Sequence, residues 1–275
     1  MNPQQAATYY ERYKKTDLVF SKEMIEVTGL IPKMVALKCM QEYSPCVIYS
    51  SSFEGAKIVA STKSGLISRL REANQTGTLK FCFNCAETGE PLTYYVAFRL
   101  IGYAPYGGSQ ETVTLHVQYI NKPPDDLILI IGQILDADIN ASRRRGERIL
   151  ITSDVQRKLN LVSREVTVTI RDVQRQCILR DISFYGAKIV MMGSAKFLED
   201  KEIILHLSFD EPQKDFALTG KFIRADTFEE RKEFVAMAIA FDESAVPLGY
   251  KMRISKYISQ LRHITEEQAL ATATS

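Results

Sequence analysis

The sequence has few of the features that mark several large classes of protein. Its five cysteines are an odd number without the spacing of a disulfide-rich scaffold, which favours reduced thiols in a cytoplasm. No apolar run reaches the roughly 18 residues that a membrane-spanning helix needs. Residues 1–6 show no basic segment leading into an apolar one, so no signal peptide is predicted. The formal net charge is only +2, so attraction to nucleic acid or to an anionic membrane requires a local patch.

What is present indicates a mainly β protein with two domains. At 275 residues, 45% hydrophobic and 25% charged, the chain is long and apolar enough for two packed cores. Short β-like runs are separated by turn residues, and the first hairpin is expected to turn at residues 42–45. A short helix is predicted at 6–15, and amphipathic helices at 127–139 and 254–261. This pattern favours two antiparallel β-barrels, each followed by a helix, over a parallel α/β sheet.

The second half of the chain repeats the first. Residues 46–59, CVIYSSSFEGAKIV, align with residues 177–190, CILRDISFYGAKIV. The alternating run 113–119 aligns in the same way with 235–241. A repeat this long exceeds the roughly 20–50 residues of a solenoid unit, so it indicates two like-folded domains in tandem. We expect a first domain at 1–138, an arginine-rich linker at 139–149, a second domain at 150–265 and a flexible tail at 266–275.

Cysteine provides the one metal motif to consider. Cys82-Phe-Asn-Cys85, with Cys39 and Cys46 in the same half, has the ligand types of a zinc site built from four cysteines. Cys46 aligns with Cys177, which has no second cysteine nearby, so cysteines in strands or in the core are the favoured interpretation. The chain contains no P-loop, nucleophile elbow or HExxH motif, and its histidines lie in no recognisable site. The sequence therefore predicts no enzyme, no metal and no cofactor.

Four arginines stand close together where the second repeat begins. They are Arg143, Arg144, Arg145 and Arg148. Arginine is always charged, and its rigid fork of donors matches phosphate oxygens and the O6/N7 edge of guanine. The cluster therefore suits a guanine nucleotide or another polyphosphate. The alternative interpretation is a solvated basic linker.

A second motif follows in the same repeat, Asp181-x-Ser183-x-x-Gly186. An aspartate accepts hydrogen bonds from the N1 and N2 donors of guanine, Ser183 adds a hydroxyl, and Gly186 permits a tight turn and close approach of a ligand. The alternative is an ordinary turn stabilised by local hydrogen bonds. The first repeat keeps the serine and the glycine but has Ser50 in place of Asp181 and no preceding Arg-x-x-x-Arg. The shared residues are thus expected to serve the fold, whereas Asp181 and the arginines are added by the second repeat.

These two motifs together resemble the signature of PilZ domains, small β-barrels that bind the bacterial second messenger cyclic di-GMP. The resemblance covers roughly residues 140–262 and includes the strand that ends at Phe241. The stretch 149–164, between the motifs, is longer than is usual in the family. Arg143 matches a position at which family members with arginine tend to hold an intercalated dimer of the dinucleotide.

The resemblance also implies a role for each residue of the two motifs. Arg144 and Arg148 are expected to clamp the guanines and phosphates of cyclic di-GMP. Asp181 and Ser183 are expected to hold a guanine edge, with Gly186 beside them. No metal or cofactor is implied, since the dinucleotide is itself the ligand.

The first half resembles, more distantly, the PilZ-like N-terminal domains of two-domain effectors, including the flagellar-brake type. Without the aspartate and the arginines, it is not expected to bind the dinucleotide. The resemblance implies a cytoplasmic, non-enzymatic receptor in which binding at the linker changes the domain arrangement. A protein partner, such as flagellar or signalling machinery, would respond to that change. Two rivals remain open: an adaptor that binds no nucleotide, and a nucleic-acid-binding regulator that uses Arg143–Arg148 and weakens steeply with salt.

Overall fold

Two antiparallel sheets, each closed into a barrel, account for most of the chain, which confirms the predicted fold class. This computed structural model describes residues 3–63, 65–85, 89–109, 111–193, 201–227 and 233–273, without the side chains of 227 and 262–273. The chain divides into two units, Met1–Leu135 and Asp136–Ser275. In the described part of the chain, none of the helices combines the length and apolarity needed to cross a bilayer.

The first unit is a six-stranded barrel with one added edge strand. Its strands pair in the order β3-β2-β5-β6-β7-β4, β4 returns to β3 to close the barrel, and β1 pairs with β3 at the edge. The elements are α1 (Pro3–Tyr13), β1 (Leu18–Val19), α2 (Lys22–Thr28), a short 3-10 helix (Pro32–Met34), β2 (Ala36–Cys39), β3 (Glu42–Ser51), β4 (Gly55–Ser61), α3 (Leu66–Glu72), β5 (Thr76–Phe83), β6 (Leu92–Pro105), β7 (Thr112–Tyr119) and the first part of α4 (Asp125–Arg143).

The second unit has the same strand order, as the sequence repeat predicts. Its strands pair as β10-β9-β12-β13-β14-β11, β11 closes onto β10, and β8 is the added edge strand on β10. The elements after α4 are β8 (Ile149–Leu150), α5 (Ser153–Lys158), β9 (Glu165–Ile170), β10 (Val173–Ser183), β11 (Gly186–Met192), β12 (Glu202–Phe209), β13 (Lys214–Thr227), β14 (Phe234–Phe241) and α6 (Leu248–Ala273).

The core of the second unit is formed by the inward-facing side chains of these strands. Successive strand residues point to opposite faces, so every second residue of β14 enters the core, from Val235 to Phe241. Phe184, in the turn after β10, is fully buried, and so is Tyr250 of α6. Burial of such side chains contributes about 1.5–3 kcal/mol each and fixes the barrel on which the polar motifs are displayed.

The first hairpin turns earlier than predicted. Cys39 pairs with Glu42, so the chain turns at Met40 and Gln41 rather than at residues 42–45. The prediction gave Pro45 the role of a turn residue, but Pro45 lies inside β3 with its ring on the exposed face. Met40 instead supplies the left-handed backbone of the turn, with φ of 57°.

Two helices extend further than predicted. Helix α4 continues to Arg143, so of the predicted linker, 139–149, only residues 144–148 lie between a helix and a strand. Helix α6 continues to Ala273, so most of the predicted flexible tail, 266–275, is helical. The sequence EEQALA within that tail consists of good helix formers, which propensity alone favours as helix.

Candidate ligand-binding site

The edge strand β8 brings the two predicted motifs together. Ile149 pairs with Ile182 and Leu150 pairs with Asp181. Arg148 directly precedes this strand, and its Nε donates a hydrogen bond of 2.6 Å to Asp181 Oδ1. The first and second motifs, far apart in sequence, therefore meet at one edge of the second barrel.

The ion pair between Arg148 and Asp181 is accessible to solvent. The Arg148 side chain is 45% exposed and that of Asp181 is 16% exposed. The β10–β11 register shifts between Leu179 and Asp181, and a bulge of this kind re-aims the side chains that follow it. A partly exposed ion pair contributes little to folding stability, typically about 0–1 kcal/mol. Both partners are thus available to a ligand that supplies a better-matched donor and acceptor.

The other two predicted arginines lie at the end of α4. Arg143 is the last helical residue and is exposed. Arg144 continues the helical turn through its N–H to Asn140 O at 2.9 Å, and its side chain is only 18% exposed. Arg144 Nη1 is shielded from solvent and makes no hydrogen bond within the described residues, and Glu147 Oε2 lies 3.9 Å away. A shielded guanidinium nitrogen without a hydrogen bond is unfavourable and is a ready donor for an acidic ligand.

Ser183 and Gly186 hold the turn between β10 and β11. Ser183 is 2% exposed, and its Oγ donates to Gly186 O at 3.2 Å. The Ser183 carbonyl accepts a 2.7 Å hydrogen bond from the hydroxyl of Tyr250, whose pKa is raised by burial. A Cβ on Gly186 would lie 2.6 Å from Ile239 O, so close approach of β14 requires glycine here. Both residues therefore serve the hairpin that presents Asp181.

A floor of small residues, which the sequence analysis missed, lies beside Asp181 on the outer face of the barrel. Ala236, Ala238 and Ala240 alternate with the core residues of β14 and therefore point outward; Ala238 and Ala240 are partly exposed, whereas Ala236 is only 3% exposed. Gly186 pairs with Ala240, and Lys188 pairs with Ala238. The signal was present in the sequence as the strict small–large alternation of AMAIAF.

Basic side chains surround this floor. Lys188 lies in register between Asp181 and Ala238, and Arg224 pairs with Ala238 from the other side. The Lys188 ammonium is 2.9 Å from Asp226 Oδ2, and this hydrogen bond lowers the pKa of that carboxyl. A groove of about 1100 Å³ shares Ala240 with the floor and continues over Lys221 toward β9. None of the six predicted site residues lines this groove.

The first barrel has a different set of residues at the equivalent edge. Val19 pairs with Ser50 as Leu150 pairs with Asp181, so Asp17 stands where Arg148 does. Asp17 forms an ion pair of 3.2 Å with Lys57.

The floor of the first barrel is also filled. Gly55 pairs with Gln118, and Lys57 pairs with His116. Gln118, His116 and Thr114 therefore stand where the second barrel has Ala240, Ala238 and Ala236. The pattern of arginine, aspartate and small floor is thus confined to the second barrel.

Four of the five cysteines lie buried in strands, as predicted, whereas Cys85 follows β5 and is partly exposed. Cys39, Cys46 and Cys82 are buried in β2, β3 and β5, and burial raises the pKa of Cys46 to about 12. Cys177 is buried in β10. Within the ranges that the structure describes, no three His, Cys, Asp or Glu residues are grouped closely enough to hold a metal ion.

Comparison with known proteins agrees with the two-barrel architecture. The family model described as the PilZN3 domain matches residues 4–138 and again 141–247. A curated relative, the cyclic di-GMP binding protein of Treponema denticola, is 40% identical over 260 residues, which cover 94% of this chain and 83% of that protein.

Among solved structures, PlzA of Borreliella burgdorferi in complex with c-di-GMP is 22% identical, with 92% and 98% of the two chains covered and a TM-score of 0.41. YcgR of Escherichia coli, also in complex with c-di-GMP, is 12% identical, with 98% and 95% covered and a TM-score of 0.28. The match of one family model to both repeats confirms the PilZ resemblance, and the chain belongs to the PilZN3 domain family.

Proposed function

We propose that this chain is a cytoplasmic, non-enzymatic receptor for cyclic di-GMP, with its binding site on the second barrel. The ion pair between Arg148 and Asp181 carries the proposal, because it unites the two motifs at an accessible edge. The name of the 40% identical relative from Treponema denticola, a cyclic di-GMP binding protein, supports the same ligand.

The residues at this edge match the chemistry of the dinucleotide. The Asp181 carboxylate accepts from the two donors on the guanine edge, and the Arg148 guanidinium donates to guanine or to phosphate. Arg144 contributes a further fork of donors, and its shielded Nη1 gains an acceptor on binding. Arg143 is exposed at the end of α4, and we expect it to contact a second stacked dinucleotide.

The floor of small residues supports a ligand with planar bases. A guanine lying over Ala238 and Ala240 meets no long side chain from β14. Lys188 and Arg224 flank the floor and attract the phosphates. Ser183 and Gly186 support the site indirectly, because they fix the turn that presents Asp181.

We further propose that binding changes the relation between the two units. Residues 144–148 join α4 to β8, and a ligand that holds Arg144 and Arg148 orders this segment against the second barrel. The first barrel, with Asp17 and Ser50 in place of the arginine and the aspartate, responds to the ligand without binding it. A protein partner in motility or a related process then responds to the changed arrangement.

Calorimetric titration of the full chain tests the binding proposal. We expect selective binding of cyclic di-GMP, and no heat with cyclic di-AMP or GTP at the same concentrations. Arg148→Ala should abolish this binding, whereas Arg157→Ala should not. Arg157 is a matched control because it is an 80% exposed arginine of the same unit, on α5. Equal binding of both cyclic dinucleotides, or full binding by Arg148→Ala, would contradict the proposal.

The alternative function, a nucleic-acid-binding regulator, predicts a binding affinity that depends strongly on salt concentration. Such binding loses affinity steeply between low and physiological salt, because it releases counterions from many phosphates. The paired state of Arg148 with Asp181 and of Arg145 with Glu243 counts against a free basic cluster of this kind. Titration at two salt concentrations separates the two functions.

A further inference from the structure

Arg145 makes contacts that set it apart from its three neighbours. Its guanidinium donates to the Glu243 carboxylate through both terminal nitrogens, with Nη1–Oε1 at 2.9 Å and Nη2–Oε2 at 2.7 Å. The fork-to-fork geometry fixes the direction of the side chain as well as its distance. The neighbouring motif residues Arg144 and Arg148 make no such contact with the loop after β14.

Tyr185 lies beneath the same guanidinium. The Arg145 Cζ is 5.6 Å from the centre of the Tyr185 ring, within the range of a cation–π interaction. Tyr185 occupies the turn between Ser183 and Gly186, and its ring packs partly against the core of the second barrel. The Lys251 ammonium approaches the same ring at 5.7 Å and also pairs with Asp138 Oδ1 at 3.4 Å.

These contacts join parts of the second unit that are distant in sequence. They connect the arginine segment, the turn of the second motif, the loop after β14 and helix α6. Within the part of the chain that the structure describes, the other restraints on residues 144–147 are local, such as the hydrogen bond from Glu147 N to Arg144 O at 3.1 Å. The long-range restraint on this stretch before Arg148 therefore comes through Arg145.

We propose that Arg145, Tyr185 and Glu243 form an anchor that holds the arginine segment against the second barrel before cyclic di-GMP arrives. The three are positioning residues: they hold Arg144 and Arg148 in place and do not themselves contact the ligand. An ordered segment loses less conformational entropy on binding, so the anchor raises affinity. This inference rests on the proposed function for its consequence, but the contacts of the anchor can be tested without the ligand.

The first unit has different residues and different contacts at the positions of this anchor. Counting back from the edge strand, Lys14 holds the place of Arg145, and Glu54 holds that of Tyr185. Lys14, one residue after α1, pairs with Glu11 at 3.2 Å, and its carbonyl accepts a hydrogen bond from Phe53 N at 3.2 Å. Among the described residues, the two-bond arginine–glutamate pair beside a tyrosine ring therefore belongs to the repeat that carries the arginine and aspartate motifs.

Charge reversal tests the anchor in the full chain. Arg145→Glu and Glu243→Arg should each weaken cyclic di-GMP binding by about tenfold, and the double variant should recover most of the affinity. Tyr185→Leu, which keeps apolar packing but removes the ring, should weaken binding in the same direction. The matched control is the exposed pair Asp154 and Lys158, with its own reversal, Asp154→Lys with Lys158→Asp. That control should bind as the wild type does.

Hydrogen exchange in the absence of ligand gives a readout that does not depend on binding. The amides of residues 145–148 should exchange faster in each single reversal and return toward the wild-type rate in the double variant. Unchanged exchange in Arg145→Glu would overturn the anchor. Changed exchange with unchanged affinity would overturn its role in binding. No binding by the wild-type chain would overturn the proposed function instead, and with it the expected gain in affinity.

Discussion

Arg148 and Asp17 hold equivalent positions in the two repeats, each directly before a two-residue edge strand, and they carry opposite charges. Arg148 pairs with Asp181, whereas Asp17 pairs with Lys57. The edge of the second barrel therefore combines an arginine fork with a carboxylate, as a guanine nucleotide requires. The first barrel presents a carboxylate and a lysine in a different arrangement.

Introducing an aspartate at Ser50 should not create a second binding site. Ser50 is 2% exposed, and its Oγ has no hydrogen-bond partner within the described residues. It pairs in register with Lys57, which already forms an ion pair with Asp17, so Ser50→Asp places a carboxylate in a buried position whose neighbouring lysine is shared with another carboxylate. We expect the free energy of unfolding to fall by about 2 kcal/mol or more. Chemical denaturation measures the loss, and calorimetry should show unchanged ligand stoichiometry. A doubled stoichiometry would contradict the assignment of the site to the second barrel.

Removal of the Asp181 carboxylate should weaken ligand binding more than it weakens the fold. Asp181→Ala leaves the guanine donors unpaired, which costs about 1–3 kcal/mol of binding free energy, or about 5- to 150-fold in affinity. The partly exposed ion pair with Arg148 contributes only about 0–1 kcal/mol to stability. Titration and thermal unfolding measure the two effects separately, and unchanged affinity would exclude Asp181 from the site.

Filling the alanine floor should block the ligand without unfolding the barrel. Ala238→Leu places a branched side chain between Lys188 and Arg224, on the outer face of β14. We expect at least about tenfold weaker binding and a change in stability within about 0.5 kcal/mol. Ala217→Leu is the control, because Ala217 is another outward-facing alanine, on β13, although it is more exposed than Ala238. Equal affinities of the two variants would show that the floor is not used.

Loss of the Tyr250 hydroxyl should destabilise the turn of the second motif. Tyr250→Phe leaves the Ser183 carbonyl without its 2.7 Å hydrogen bond in a buried site. We expect the free energy of unfolding to fall by about 1–3 kcal/mol. Tyr185→Phe keeps the ring that Arg145 contacts and removes an OH group from a partly exposed side chain, so it should leave stability nearly unchanged. Equal stabilities of the two variants would show that the hydrogen bond from Tyr250 to Ser183 does not stabilise the turn.

The fold was largely predictable because the two repeats of the sequence can be aligned with each other. Alignment of residues 46–59 with 177–190 fixes equivalent strands, and the alternation in β7 and β14 identifies their buried faces. The predicted strand boundaries were less accurate where the local preference of a residue conflicts with its place in the sheet. Pro45 favours a turn in isolation, but β3 tolerates it because its ring faces outward.

The site was only partly predictable, because its geometry depends on pairing between distant strands. Motif resemblance placed Arg148 and Asp181 together, and the edge strand β8 explains how they meet. Nothing local in the sequence indicates that Glu243 pairs with Arg145, since ninety-eight residues separate them. The outward alanines of β14 were visible as a pattern, but only the register with β11 and β13 shows that they adjoin Asp181.

Helix α4 sets a condition on how this protein can be divided for experiments. It runs without interruption from Asp125 to Arg143, and the boundary between the units falls inside it, after Leu135. A fragment that begins at Ile139 would lack Ala137 and Asp138, which belong to the second unit, and would begin only a few residues before the arginines. A fragment that begins at Pro124 keeps the whole helix and its N-terminal turn. Isolated second barrels should therefore be produced with α4 complete, at the expense of exposing the apolar face that this helix otherwise packs into the first unit.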